Sequence, residues 1–376
     1  MLKRLKIQIY PNKAQEELLE RHINAYRYLY NLCLEYKNHL YQYHKISISG
    51  ISMQNELFEL IKDIPWMRGL KVECLRQAAL DVESTFKMFY SGQGFPKFKS
   101  KKNNFSFSVH QHLRIKNNKF CFFKQRLKFK TSPEYNDILV NNHIKQCVFV
   151  KDKTHKWFIS CLVDNNDNFK SLPKLANIIG IDLGINKFIV TSNGEYINNP
   201  NLRNKLKKKL IRIERKHSKS KKGGKNREKL RVKLATVHKK ITNQKKHFFH
   251  KISNKLIFEN QEIHVETLPI RNMLKNKKLA RVISDISWSS FITILEYKCN
   301  WYGRKLVKVS TWFPSSKLCS SCGYKKKKLE LLERIYKCEN CGLEMDRDLN
   351  AAKNLASYSP TVKNTGSNVS GNLIRP

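Results

Sequence analysis

The sequence predicts an α+β multidomain chain: an N-terminal β-barrel with a helical insertion, followed by an α/β domain into which a zinc ribbon is set. Three observations predict it. The chain has 376 residues, 40% of them hydrophobic, enough for two or three cores rather than one. Apolar residues alternate at the start and again after residue 105, with helical spacing between. Near the C-terminus Cys319-x2-Cys322 and Cys338-x2-Cys341 enclose 15 residues, Gly323 to Lys337, a spacing that lets four thiolates close a tetrahedron around one Zn²⁺. Gly323 and Gly342 follow each pair and free the backbone to turn under the metal.

Leu5, Ile7 and Ile9 alternate until Tyr10-Pro11-Asn12, a strand leaving into a turn. Leu19, Ile23, Tyr26, Tyr30 and Cys33 then mark one stripe of a helix, and Leu75, Ala79, Val82, Phe86 and Phe89 mark a second, over 72–89, stopped by Gly92-Gln93-Gly94. In Phe95-Pro96-Lys97-Phe98-Lys99-Ser100-Lys101-Lys102 aromatics alternate with cations. That pattern suits stacking on bases with pairing to phosphates; a basic loop whose phenylalanines plug a core is the alternative. From Phe105 to Asp164 short strands are expected, the clearest alternating at Trp157, Ile159, Cys161 and Val163. Residues 1–10 and 105–170 would close a small barrel, with 11–104 as a helical insertion.

A second unit begins after Leu172-Pro173. Ile178 to Asp182 reads as an apolar strand ending in a carboxylate, Phe188 to Thr191 and Glu195 to Ile197 as two more strands, with Asn193-Gly194 as the tight turn between the last two. Residues 201–251 hold 21 Lys or Arg against Glu214 and Glu228 yet keep stripes at Leu202, Leu206, Leu210 and Ile213 and at Leu230, Leu234, Val237 and Ile241, around Gly223-Gly224. This reads as a basic helical hairpin whose one-sided charge favours phosphate contact; a solvated helix pair is the alternative. Ile263 to Glu266 supplies a central strand, Ser287 to Trp301 a helix, and Leu306 to Val309 a strand. After the ribbon at 316–344, a last helix starts near Asp348 and completes a domain spanning 171–315 and 345–356. The Ser/Asn/Gly/Pro-rich stretch 357–376 is expected to be a disordered tail.

The balance of 73 Lys and Arg against 30 Asp and Glu, a formal charge of +43, calls for a polyanionic partner such as nucleic acid. Met1-Leu2-Lys3-Arg4-Leu5-Lys6 leads into no long apolar run, so neither a signal peptide, a membrane span nor a membrane partner is expected, and a cytoplasmic place follows. Cys33, Cys74, Cys121, Cys147, Cys161 and Cys299 are scattered and read as buried, reduced thiols.

Three strands, a helix, a strand, a helix, a strand and a helix, with acids on the first strand, the fourth strand and the last helix, form the order of an RNase H-like nuclease. Asp182, Glu266 and Asp348 would converge. Hydrolysing a phosphodiester needs stabilised charge on both attacking and leaving oxygens, which carboxylates provide by holding two Mg²⁺ ions. Asp346 competes with Asp348 for the third place; Asp348 is preferred because Asn350 and Ala351-Ala352 continue the helix and Asp346 can cap it.

Gly180-Ile181-Asp182-Leu183-Gly184-Ile185-Asn186, Val265-Glu266, the paired cysteines and Asp346-Arg347-Asp348-Leu349-Asn350-Ala351-Ala352-Lys353-Asn354 together resemble the TnpB (OrfB) proteins of IS200/IS605-type transposons, related to type V CRISPR (Cas12-like) nucleases. Tyr10-Pro11-Asn12 and Gly94-Phe95-Pro96-Lys97-Phe98-Lys99 extend the likeness over nearly the whole chain. The resemblance implies a wedge-like barrel with a helical recognition insertion, then a RuvC-like nuclease. It implies RNA-guided cutting of double-stranded DNA, with a guide RNA made from the transposon end, in bacterial or archaeal cytoplasm. By it Asp182, Glu266 and Asp348 are the catalytic Mg²⁺ ligands, and Cys319, Cys322, Cys338 and Cys341 hold one structural Zn²⁺. A nuclease-inactive RNA-guided repressor and a zinc-ribbon nucleic-acid-binding protein without catalysis are the alternatives.

Overall fold

The computed structural model describes residues 2–101, 106–110, 114–164, 172–330 and 333–359. They form two units, one of residues 1–168 with 212–238, the other of 169–211 with 239–376. Lys102 and Phe105, and the expected tail from residue 360 on, lie outside the described residues.

The first unit begins with β1 (Leu2–Tyr10), whose Leu5, Ile7 and Ile9 are buried as their alternation requires. Asn12 then caps α1 (Lys13–His44): its side chain accepts from the Gln15 N–H, and the Gln15 side chain returns to the Asn12 N–H. α2 (Gly50–Asp63) and α3 (Val72–Tyr90) pack with α1, so the expected stripes at Leu19 to Cys33 and Leu75 to Phe86 are buried together. Next come β2 (Ser106–Val109), β3 (Arg114–Lys116), β4 (Lys119–Phe122), β5 (Gln125–Lys130), α4 (Pro133–Asn141), β6 (His143–Lys151) and β7 (Trp157–Asp164).

The seven strands hydrogen-bond antiparallel in the order β2-β6-β7-β1-β5-β4-β3. The expected barrel is therefore corrected: among the described residues no ladder joins β2 to β3, and the sheet is a curled half-barrel. Rings line the side the ladder leaves open. Phe107 of β2 and Phe122 of β4, from opposite ends of the strand order, lie 5.8 Å apart, and His22 of α1 reaches both at 5.3 Å. Among the described residues, aromatic side chains bridge what backbone hydrogen bonds do not.

The second unit is built on β8 (Ile178–Leu183), β9 (Lys187–Thr191) and β10 (Tyr196–Asn198), with Gly194 at φ 84° in the turn between the last two. After α5 (Leu202–Lys205), α6 (Lys207–Lys219) and α7 (Lys225–Glu259) form the basic hairpin, whose residues 212–238, the turn among them, belong to the first unit. Its turn uses Gly223 at φ 81°, pinned by Arg227 donating to the carbonyls of His217 and Ser220. β11 (Glu262–Glu266), α8 (Ile270–Met273), α9 (Lys277–Ile286), α10 (Trp288–Tyr302) and β12 (Lys305–Val309) follow. The sheet order is β10-β9-β8-β11-β12, with β8, β11 and β12 parallel and the first two strands antiparallel. β13 (Ile335–Lys337), β14 (Glu344–Asp346) and α11 (Arg347–Ala356) close the described chain. No helix among the described residues is long and apolar enough to cross a membrane.

The six scattered cysteines are free thiols, five of them buried and Cys121 half-buried. Cys147 and Cys161 face each other across β6 and β7 with sulfurs 3.2 Å apart.

Candidate functional site

Asp182 stands near the end of β8 and Glu266 at the end of the parallel β11. In their register Gly180 lies opposite His264 and Ile181 opposite Val265. Alternation then puts Gly180, Asp182, His264 and Glu266 on one face, while Ile179, Ile181, Ile263 and Val265 enter the core with Phe249 and Phe291. α11 covers the first face. A Cβ on Gly180 would stand 2.0 Å from the Ala352 carbonyl oxygen and 2.4 Å from the Ala356 nitrogen, so this approach of helix to strand requires glycine. At its far end α11 is held by buried His264, whose Nδ1–H donates to the Leu355 carbonyl at 2.8 Å. Asp348 is one turn before Ala352 and so projects along the same side of the helix.

Asp182, Glu266 and Asp348 line one cleft of about 730 Å³. Burial first, then the negative charges of Asp348 and Glu266, push the Asp182 carboxyl up to about 7. Burial also raises Glu266. Asp346 is differently engaged: one oxygen accepts from the N–H groups of Asp348 and Leu349 at 3.0 and 3.1 Å, and the other meets Lys187 Nζ at 3.1 Å. It is the N-cap of α11. Lys187 also lies over the Tyr196 ring at 3.9 Å.

The helix that carries Asp348 also holds the cysteine segment. Asn350 donates to the Leu318 carbonyl at 2.6 Å and accepts from the Ser320 N–H at 2.9 Å; Asn354 donates to the carbonyls of Ser315 and Leu318. Sequence reasoning missed this clamp, although two asparagines four apart inside a helix are a signal, because Asn is a poor helix former without a task. The four sulfurs of Cys319, Cys322, Cys338 and Cys341 lie within 4.8 Å of one another and could bind one zinc ion. Both turns are knuckles: Gly323 N–H donates to Cys319 O and Gly342 N–H to Cys338 O, with φ of 74° and 72°. The Tyr324 backbone N–H, then the Asn340 side chain, draw the Cys322 thiol down to about 6, toward the thiolate a metal needs.

In the first unit the Phe95 to Lys99 loop keeps part of the core-plug alternative: the Phe95 ring packs edge-on against Phe86 and Phe89 at 5.8 and 5.2 Å. Phe95 and Phe98 are 52% and 59% exposed. Lys99 turns inward instead, its Nζ 3.7 Å from the centre of the Tyr30 ring and 4.6 Å from that of Tyr26, and Asn31 holds its backbone at both N–H and C=O. Burial brings this amine down to about 8. The aromatic faces compensate part of its lost hydration.

Three family models match the chain: a "Helix-turn-helix domain" over residues 1–45, a "Probable transposase" of the OrfB_IS605 type over 158–277, and a "Cas12f1-like, TNB domain" over 288–355. The first segment is here one strand and one long helix. A protein of Streptomyces pristinaespiralis named "Putative RNA-guided DNA endonuclease" is 33% identical over 359 residues, covering 93% of this chain and 87% of its own. "Putative RNA-guided DNA endonuclease InsQ" of Escherichia coli K12 is 25% identical, covering 96% and 93%. Among solved structures, "Cryo-EM structure of the Cas12f1-sgRNA-target DNA complex" matches in fold with a TM-score of 0.58 at 15% identity, over 92% of this chain and 83% of that one. The chain belongs to the TnpB (OrfB) family associated with IS605-type transposons.

Proposed function

We propose that this protein is an RNA-guided DNA endonuclease whose second unit is an RNase H-like, RuvC-type nuclease interrupted by a zinc ribbon. The observation that carries the reading is the convergence of Asp182, Glu266 and Asp348 on one cleft, with Asp346 withdrawn from it by its cap and its lysine. Burial and the neighbouring charges of Asp348 and Glu266 raise Asp182, and three carboxylates lining one cleft supply the hard oxygen donors that divalent cations prefer. Asp182, Glu266 and Asp348 would hold Mg²⁺, a pair of ions by the chemistry of the reaction. When bound, such ions supply charge stabilisation to the attacking and leaving oxygens of a phosphodiester. No protein nucleophile is needed.

The chain's own part is to position. The Gly180 contact and the His264 bond fix α11, and with it Asp348, against β8 and β11. Lys317, Lys325, Arg334 and Arg347 border the same cleft and would draw a phosphate backbone into it. One zinc on the four cysteines would brace the ribbon that Asn350 and Asn354 grip; it takes no part in cutting. The curled sheet and its helices would act as wedge and recognition parts. A guide RNA from the transposon end, its heteroduplex with target DNA, and the displaced strand would lie along basic surfaces such as the hairpin, base pairing reading sequence while protein reads backbone.

The names of the relatives and the matched fold of a Cas12f1 complex support this reading. The test is to purify the protein from cells carrying its native flanking DNA, sequence the RNA that co-purifies, and offer that complex matched and mismatched DNA with Mg²⁺. Cutting of matched DNA alone, abolished in Asp182→Ala while guide-dependent binding persists, is expected. Bound RNA without cutting would favour a guide-dependent repressor, and loss of both cutting and binding in the variant would remove Asp182 from the catalytic role.

A further inference from the structure

Trp312 is 92% exposed, more than any other large hydrophobic side chain among the described residues. A tryptophan has the largest surface to bury, so one held in water on a fixed loop needs an explanation. The loop is fixed. Thr311 Oγ1 donates to the Thr267 carbonyl at 3.0 Å, the Trp312 N–H to Ser310 Oγ at 3.3 Å and the Phe313 N–H to the Ser310 carbonyl at 3.0 Å. The next aromatic, Phe313, is tucked against the Tyr358 ring at 5.0 Å, and Asn354 grips the Ser315 carbonyl. One aromatic of the turn is used for packing while its neighbour is presented to solvent.

Its address is informative. Trp312 stands three residues beyond Val309, the β12 partner of Glu266, and lines the cleft that holds Asp182, Glu266 and Asp348. Lys317 and Lys325 border that cleft too. A basic or apolar protein partner would have to bury those amines and the acids together, which is costly. An unpaired nucleobase with its phosphate satisfies both, the ring stacking on indole and the phosphate meeting the lysines.

We propose that Trp312 is a stacking post that holds one unpaired base of the DNA strand about to be cut, and so sets which phosphodiester enters the acid cluster. The inference deepens the nuclease reading and rests on it. Rigid pinning suits the task, because a post that moved would not define a register. Being fully outside the core, the residue can be changed without unfolding the unit.

The experiment uses the full chain with its co-purified RNA. In an Asp182→Ala background, 2-aminopurine is walked through the strand to be cut. Quenching is expected at one position beside the scissile bond, lost on adding Trp312→Ala and kept with Trp312→Phe. In the otherwise intact protein Trp312→Ala should raise KM about tenfold, the scale of one missing base stack, and scatter the cut positions, with Trp312→Phe restoring both. The proposal is overturned by wild-type KM and cut positions in Trp312→Ala, or by quenching indifferent to the substitution. Failure of the nuclease reading itself would look different: Asp182→Ala would still cut.

Discussion

At the scale of single residues, Gly180 is the described glycine of the second unit at which an added Cβ would come nearest to backbone atoms. Gly180→Ala would force β8 and α11 apart against backbone atoms rather than a yielding side chain, at a cost of about 1–3 kcal/mol. Thermal unfolding should shift down, and cleavage should fall by more than the stability loss explains, because Asp348 moves with the helix. Normal cleavage by a destabilised variant would detach the acids from this close approach. His22 gives the first unit a pH dependence. Its Nδ1–H donates to the Leu18 carbonyl and its Nε2 accepts from the Lys71 N–H, so the neutral ring is satisfied and a second proton would face a donor. Burial lowers it from 6.5 to about 4. The unfolded chain takes the proton below 6.5 and the folded chain does not, so stability present above that pH is lost as pH falls toward 4, by up to about 3 kcal/mol. Melting curves between pH 6.5 and 5 should fall steeply for the wild type and flatten in His22→Gln; parallel curves would place the acid sensitivity elsewhere.

At the scale of elements, what could be read from sequence is what local period determines. The strand at Leu5 to Ile9, the two helical stripes, the alternation at Trp157 to Val163 and the Asn193-Gly194 turn are each set by residues within about fifteen positions of one another. α2 escaped notice although Ser49 caps it and Met53, Leu57 and Ile61 repeat every four residues, because its stripe is short and the residues before it, Ile46-Ser47-Ile48-Ser49, alternate with a strand's period rather than a helix's. Sheet closure escaped for a different reason: whether β2 meets β3 depends on ring packing across the whole domain. The burial of Lys99 in place of Phe98 likewise rests on Tyr26, Tyr30 and Asn31, about seventy positions away. Asp182 and Glu266 were readable as strand-end carboxylates and Asp348 as an acid at the start of the last helix, whereas Lys187, Trp312 and the Asn350 and Asn354 clamp depend on contacts that no local pattern fixes. That clamp predicts that stripping zinc with a chelator, or Cys338→Ser, should lower cleavage as well as the folding of the ribbon, since both hang on α11. Metal content by mass spectrometry alongside single-turnover rates would check it; unimpaired cutting by metal-free protein would break the link.

For the whole molecule the dominant fact is charge. A chain of +43 must release many counterions when it meets nucleic acid, so affinity should fall steeply with salt. Lys229, Lys233 and Lys240 are exposed along one side of α7, in a hairpin whose few acids include Glu228, already paired with Arg231 and His155. Changing the three to Gln should reduce the slope of log K against log salt by roughly 0.7–0.9 for each phosphate no longer neutralised, with little effect on melting temperature. An unchanged slope would move the nucleic-acid track off the hairpin.

The strict alternation of β8 has a consequence for how this protein can change. Adding or deleting one residue between Ile178 and Asp182 would turn Asp182 toward Phe249 and Phe291 and leave an isoleucine facing α11. Around Gly223 and Gly224, by contrast, an exposed turn closes on itself and has room for extra chain. A library of single-codon insertions and deletions should therefore be silent at the hairpin tip and lethal in β8, so that lineages drift in length at one place and only in side chains at the other.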